Sequence, residues 1–369
     1  MRVLILTCAT GQGHNACAHA IQQVFLHNGV VCDVEDALRF TSQKFAQFMS
    51  WGHTTMYRHV PWLFDRGYNY AQDHQKVLKE DTAVHHMLTA GIQRLHDCIL
   101  HNGYDTLICT HVFSGLLVAQ MKKEFHTVIR TAFVATDYTC SPGAAATDAD
   151  VYFIADSSLT DEFAAQGVPR EKISAVGIPV DTKFYSCCDR ELAKNKVGVQ
   201  PSHGHLLLMC GSMGCGPMEE LTKEFMHRMD KQTELSIVCG TNEKLLKKLD
   251  ALCGNDERIH LYGFTNDIDT LMDSADIYIT KPGGLSTTEA AAKGVPMVLI
   301  DAVAGCETPN MEFFFSRGGA LTGKTPTILA DMACVLLDDP LRRQVMRENL
   351  RFVCNGNAAQ QIYDILNRK

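Results

Sequence analysis

The stretch ITKPGGLSTTEAAAKGVPMVLIDAVAGCETPN, Ile279 to Asn310, opens on the end of an apolar run, Ile277-Tyr278-Ile279. That run predicts a buried strand. Lys281-Pro282-Gly283-Gly284 breaks the pattern and turns the chain. Ser286-Thr287-Thr288-Glu289 predicts a helix start, with hydroxyls at the cap, a carboxylate within the first turn and an Ala-rich body behind. Lys293-Gly294 ends that helix, and Pro296 to Ile300 is the next strand. A glycine-rich turn feeding a helix N-terminus is an anion site, because unpaired N–H groups and the helix dipole both point at the ligand. Glu289 stands one turn in, where a carboxylate can accept hydrogen bonds from a ribose diol. The same residues also suit an ordinary βαβ unit with a tight turn, so the stretch alone leaves both readings standing.

Working outward, strand and helix alternate through both halves of the 369 residues, which predicts two parallel-sheet α/β domains. A composition 46% hydrophobic and 21% charged is that of a globular chain with ample core. The net charge of -8 argues against a nucleic-acid binder and confines any contact with an anionic membrane to a local patch. Fifteen cysteines without a CxxC pair read as reduced cytosolic thiols rather than as a disulfide frame or a zinc site. Only four apolar residues follow Met1-Arg2 before Thr7, too few for a signal peptide. No apolar run approaches the roughly 18 residues of a spanning helix.

Near the N-terminus, strand Val3–Leu6 runs into the turn Thr10-Gly11-Gln12-Gly13-His14 and a helix from Asn15 to Leu26. Strand Val30–Val34 follows and ends at Glu35-Asp36. Gly11-x-Gly13-x-x-Ala16, with an acid about twenty residues on, matches a dinucleotide fingerprint and gives one reading as a nicotinamide oxidoreductase. A second glycine-rich turn, Gly211 to Pro217 after the strand Leu206–Cys210, places Ser212, Met213 and Gly214 to cradle a diphosphate. Between them, Arg39 to Lys79 holds six Lys or Arg against two Asp, with nine interleaved aromatics that include both tryptophans. Such a segment suits a surface whose basic groups meet lipid headgroups while its rings enter the interface. It equally suits a helical pair with its rings packed inward. His85, His86 and His96 have no carboxylate or thiol at a metal-binding spacing, so no metal site is expected.

Lys281-Pro282-Gly283-Gly284 with Ser286, Glu289 and Ala290 resembles the nucleotide-sugar signature of GT-B glycosyltransferases. More narrowly, the chain resembles the monogalactosyldiacylglycerol synthase and processive diacylglycerol glucosyltransferase group of glycosyltransferase family 28. The Gly11-x-Gly13-His14 loop and Thr136-Asp137 match that group as well. The resemblance implies two Rossmann-like domains with the active site in the cleft between them. The expected boundaries are an acceptor and membrane domain over 1–185, a donor domain over 186–340, and a closing helix over 341–369 packing back toward the first domain. It implies transfer of a hexose, from UDP-glucose or UDP-galactose, to a diacylglycerol hydroxyl in one inverting step.

On that resemblance His14 is the first candidate for general base and Asp137 the second, since an imidazole near its working pKa can take the acceptor's proton. His14 also suits a purely structural role in its loop, and His111 is a secondary candidate. Gly13, Ser212, Met213, Gly214, Lys281, Gly283, Gly284, Ser286, Thr287 and Glu289 fall to the donor. Gly263 and Phe264 fall to the uracil ring, and Glu307 and Asn310 to the sugar hydroxyls. Cys306 stands where the group has glutamine, and Ser141-Pro142-Gly143-Ala144 replaces its histidine and aromatics, which leaves sugar and acceptor open. No metal or cofactor beyond the UDP-sugar is expected. The expected location is the cytoplasmic face of the membrane, reached through residues 39–79. A lipid-linked peptidoglycan GlcNAc transferase and a UDP-sugar epimerase remain alternatives on the same fold.

Overall fold

The computed structural model describes residues 1–8, 12–42, 52, 82, 86–87, 89–300, 307–354 and 356–368. Most of the basic, aromatic segment 39–79 therefore lies outside the described residues, as does Cys306. The chain divides between Thr182 and Lys183 into two units.

The first unit carries six strands: β1 (Arg2–Thr7), β2 (Val31–Asp36), β3 (Thr106–Cys109), β4 (Arg130–Val134), β5 (Val151–Ile154) and β6 (Ile173–Ala175). Their order is β2-β1-β3-β4-β5-β6, with every pairing parallel. The second carries β7 (Gly204–Met209), β8 (Thr233–Val238), β9 (Ile259–Tyr262), β10 (Ile277–Thr280), β11 (Met297–Ile300) and β12 (Ala320–Gly323). Their order is β12-β11-β10-β7-β8-β9, again all parallel.

Helices cover both faces of a parallel sheet, so its central strands are apolar on both sides. Leu206, Leu208, Ile277, Ile279 and Val298 are fully buried on that account. Each such side chain contributes roughly 1.5–3 kcal/mol by leaving water. In each sheet the strand order reverses once, between β1 and β3 in the first and between β7 and β10 in the second. Ligands of open parallel sheets bind outside the carboxyl ends of the strands at that reversal, because the flanking loops part there.

Two local features differ from expectation, the start of the signature helix and the closing segment. The signature helix runs Gly284–Lys293 with Gly283 as its N-cap, three residues ahead of the expected hydroxyl cap at Ser286. The Thr287 hydroxyl instead donates to the Gly283 carbonyl at 2.9 Å and the Thr288 hydroxyl to that of Gly284 at 2.6 Å. The polar segment after Phe184 contains a helix, Arg190–Lys196, capped by Asp189. The closing segment is two helices. Pro340–Val353 buries Met346 and Leu350 in the second unit, while Ala358–Asn367 returns to the first. There Tyr363 meets Phe25 edge-on at 5.3 Å. Among the described residues no helix is long and apolar enough to cross a membrane.

Candidate active site

In the first unit the reversal point holds His14. It lies in the first turn of helix Gln12–His27, directly after Gly13. Its Nδ1 is 2.8 Å from the Thr110 carbonyl oxygen, just beyond β3. A carbonyl only accepts, so Nδ1 carries the proton and Nε2 keeps its lone pair. The Thr136 hydroxyl oxygen stands 3.1 Å from the same nitrogen. The ring is thus held in one tautomer by backbone beyond β3 and a side chain beyond β4.

Burial lowers the His14 pKa below the ordinary imidazole value, and the carboxylate of Asp137 and the Thr110 carbonyl offset part of that drop. The imidazole is neutral at neutral pH, the form a base requires. His111 meets His14 edge-on, with ring centroids 4.6 Å apart. Its own Nδ1 accepts from the Phe113 amide at 3.0 Å and so caps helix Val112–Phe125. His111 therefore carries its proton on Nε2.

Asp137 follows Thr136 on a loop that sequence reasoning left without an anchor. Glu162 supplies it, accepting from the Thr139 hydroxyl at 2.6 Å and the Cys140 amide at 2.7 Å. Nothing in the spacing of Glu162 betrays this, since the contact joins a loop to the next helix across more than twenty positions.

In the second unit the reversal point is flanked by both glycine-rich turns. Gly211, Gly214 and Gly216 take positive φ. At Gly214 a Cβ would lie 2.3 Å from the Cys239 carbonyl oxygen, so only glycine fits. The Gly214 and Cys215 amides close the turn on the Gly211 and Cys210 carbonyls. Those two N–H groups are therefore used internally, which narrows the expected anion cradle to Ser212 and Met213. The turn is braced from the loop after β8, where the Thr241 amide donates to the Ser212 carbonyl at 2.9 Å and the Asn242 side chain to that of Gly214 at 3.0 Å. Burial pushes the Cys210 thiol beside the turn up to about 12, so it is protonated.

Across the reversal point, helix Gly284–Lys293 has no side-chain cap. Its first N–H groups, from Gly284 to Ser286, keep the anion-binding character of an uncapped N-terminus. Glu289 is half-buried on the next turn. Thr287 is fully buried with its hydroxyl bound to backbone, so it holds the turn rather than facing a ligand. Asn310, also fully buried, donates to the Pro282 carbonyl at 3.0 Å and fixes the Lys281–Gly284 turn. Glu307 is buried against Lys281, with Nζ–Oε1 at 2.8 Å. Gly263 and Phe264 follow β9 at the same sheet edge, two strands from β7, and the Phe264 ring is 68% exposed. Among the described residues no cluster of three or more His, Cys, Asp or Glu could hold a metal ion.

A pair of doubly wound sheets, one with a neutral imidazole and the other with glycine-rich turns at its reversal point, has the architecture of the GT-B fold. Comparison with known proteins narrows this. Residues 14–180 match the monogalactosyldiacylglycerol (MGDG) synthase family and residues 218–351 match glycosyl transferases group 1, so the chain carries glycosyltransferase domains. It is 28% identical to a processive diacylglycerol beta-glucosyltransferase of Bacillus cytotoxicus, over 99% of this chain and 93% of that one. Among solved structures its fold is similar to Acinetobacter baumannii MurG, with a TM-score of 0.66 and 15% identity, covering 100% and 99% of the two chains. It is also similar to Anabaena Alr3699/HepE in complex with UDP, with a TM-score of 0.60 and 14% identity, covering 99% of each. These matches displace the nicotinamide reading of Gly11 to Ala16. Asp36, the acid of that reading, caps the helix Ala37–Thr41 through the Leu38 amide at 3.0 Å.

Proposed function

We propose that this glycosyltransferase moves a hexose from a UDP-sugar to a hydroxyl of diacylglycerol or a related lipid, with inversion, at the cytoplasmic face of a membrane. The observation that carries the donor half is the uncapped helix at Gly284 facing the Gly211–Gly216 turn across the β7–β10 reversal. Two sets of N–H groups converging on a strand reversal suit a diphosphate, and Glu289 suits the ribose diol. The lipid half rests on the diacylglycerol named for the Bacillus relative and on the basic, aromatic composition of residues 39–79.

In the proposed step His14 Nε2 takes the proton of the acceptor hydroxyl, helped by Asp137. The hydroxyl oxygen forms its bond to the anomeric carbon as the bond from that carbon to the β-phosphate oxygen breaks. The departing electron pair stays on UDP, where the N–H groups of Ser212, Met213 and Gly284 to Ser286 face it. The reaction asks for no cofactor beyond the donor.

The test is a screen of the purified protein with UDP-glucose, UDP-galactose and UDP-GlcNAc against diacylglycerol vesicles, with products read by mass. A hexosyl diacylglycerol is the expected product. Release of a free epimerised sugar, or transfer only to a lipid-linked peptidoglycan precursor, would overturn the reading. Thermal stabilisation by NAD(P) and not by UDP would overturn it as well.

A further inference from the structure

The amino edge of the second sheet, opposite the glycine-rich turns, gathers more positive charge than it neutralises. Asp276 is buried there, immediately before β10. Its Oδ2 accepts from the His205 amide at 3.1 Å and from Lys194 Nζ at 3.4 Å. Its Oδ1 accepts from Arg190 Nη1 at 2.8 Å and lies 3.7 Å from Arg347 Nη2. Two guanidiniums thus converge on one carboxylate oxygen, and the second is left beyond hydrogen-bond distance. Among the described residues, Arg190 Nε and Arg347 Nε and Nη2 are enclosed without a hydrogen-bond partner. Arg343 and Arg351 stand one turn before and one turn after Arg347 on helix Pro340–Val353. Arg343 is occupied, since its Nη1 donates to the Leu336 and Leu337 carbonyls that end the preceding helix. Arg351 is exposed. Like charges one turn apart repel, and enclosing a guanidinium without partners costs free energy. Burial and, after it, the Arg190 charge bring the Arg347 guanidinium down to about 10, against the pull of Asp276. It therefore stays charged at neutral pH.

We infer that Arg190, Arg347 and Arg351 form a second anion site, which takes a phosphate group other than that of the nucleotide donor. A guanidinium presents its N–H donors in a planar fork that fits two phosphate oxygens at once. The Arg190 and Arg347 side chains are 34% and 26% exposed, so each keeps an edge open to solvent beside Arg351. A phosphate dianion at that edge supplies the negative charge that Asp276 alone does not, and it relieves the repulsion among the three arginines. Strand β10 separates this edge from the donor turns by four residues, about 13 Å at 3.3 Å each. The site therefore does not overlap the donor turns, and it stands whether or not they bind UDP. Free orthophosphate and a phospholipid headgroup share the chemistry it recognises.

The test is thermal unfolding of the full chain in rising sodium phosphate, with UDP present in excess to occupy the donor turns and sodium chloride at matched ionic strength as the control. Wild type should show a saturable rise in Tm with phosphate beyond that with chloride. Arg347→Gln and Arg351→Gln should each raise the half-saturating phosphate concentration by about tenfold or more, the range of a lost hydrogen bond to a charged group. In chloride Arg347→Gln should unfold no earlier than wild type, because it removes a crowded guanidinium. Arg351→Gln changes an exposed residue and keeps the test open should Arg347→Gln fold poorly. Co-sedimentation with phosphatidylcholine vesicles containing phosphatidic acid separates the two sources. Vesicle binding lost in the same variants supports the site with a headgroup as its ligand. Vesicle binding at the wild-type level, with the phosphate response lost, supports it with free phosphate. A wild-type phosphate response no greater than that to chloride, or one unchanged in both variants, overturns the inference.

Discussion

Replacing His14 with alanine removes the Nε2 lone pair that the first unit's reversal point holds in a fixed tautomer. A positioned general base contributes 10²–10⁴-fold, so turnover should fall by about that factor. That is about 3–5 kcal/mol of barrier. The substitution also strips the Thr110 carbonyl of its donor at 2.8 Å, a stability cost of about 1–3 kcal/mol. The donor turns, Gly211–Gly216 and Gly283–Ser286, belong to the second unit, so UDP affinity should stay at the wild-type level.

The pH dependence carries a sign. Burial lowers the His14 pKa below 6.5, so the acid limb of kcat/KM in the wild type should have its midpoint below that value. Stability follows the same group. Below the ordinary pKa the unfolded chain binds a proton that the folded chain resists. The His14 contribution is therefore complete above pH 6.5 and is lost as the pH falls from there through the depressed folded value. His14→Ala should flatten that part of the stability profile. Initial rates with UDP-glucose, calorimetric UDP titrations and urea unfolding, each from about pH 5 to 8 where imidazole titrates, check the set. Equal losses of turnover and of UDP affinity, or an acid limb centred above 6.5, would refute the reasoning.

Asp137→Asn removes the negative charge that raises the His14 pKa, so the acid limb of kcat/KM should move to lower pH. A limb that stays put would detach Asp137 from the base. Glu289→Ala should weaken UDP binding far more than it lowers saturated turnover, and calorimetry showing unchanged UDP affinity would remove Glu289 from the ribose role. Gly240→Ala places a Cβ 2.1 Å from the Ser212 carbonyl oxygen at a φ of +56°. The left-handed strain and the disturbed Thr241–Ser212 bond together cost about 2 kcal/mol or more. Urea unfolding should show that loss, and wild-type stability with intact UDP affinity would mean the diphosphate turn is not braced from the loop after β8.

The fold and the placement of the glycine-rich turns at strand ends were legible in sequence because they follow from short-range pattern. Apolar runs of strand length alternating with helical spacing specify parallel sheets buried on both faces, and each glycine-rich turn follows its strand directly. The glycine-rich turns before His14 and at Lys281–Gly284 declare themselves for that reason, whereas His14 and Asp137 themselves were singled out by family resemblance. Roles set by contacts between distant segments were not legible. Thr287 resembles a ligand-facing hydroxyl until the helix start at Gly284 turns it onto backbone. Glu307 resembles a free sugar clamp until Lys281 is found beside it. Glu162 has no local signature and holds the Asp137 loop only because the helix after β5 brings it there. Sequence alone determined where the chain turns toward a ligand, since a glycine and a helix N-terminus act through the backbone they sit on. Tertiary structure decided which side chains are tied to other groups, since a carboxylate or hydroxyl takes its role from the partner that packing brings within about 3 Å.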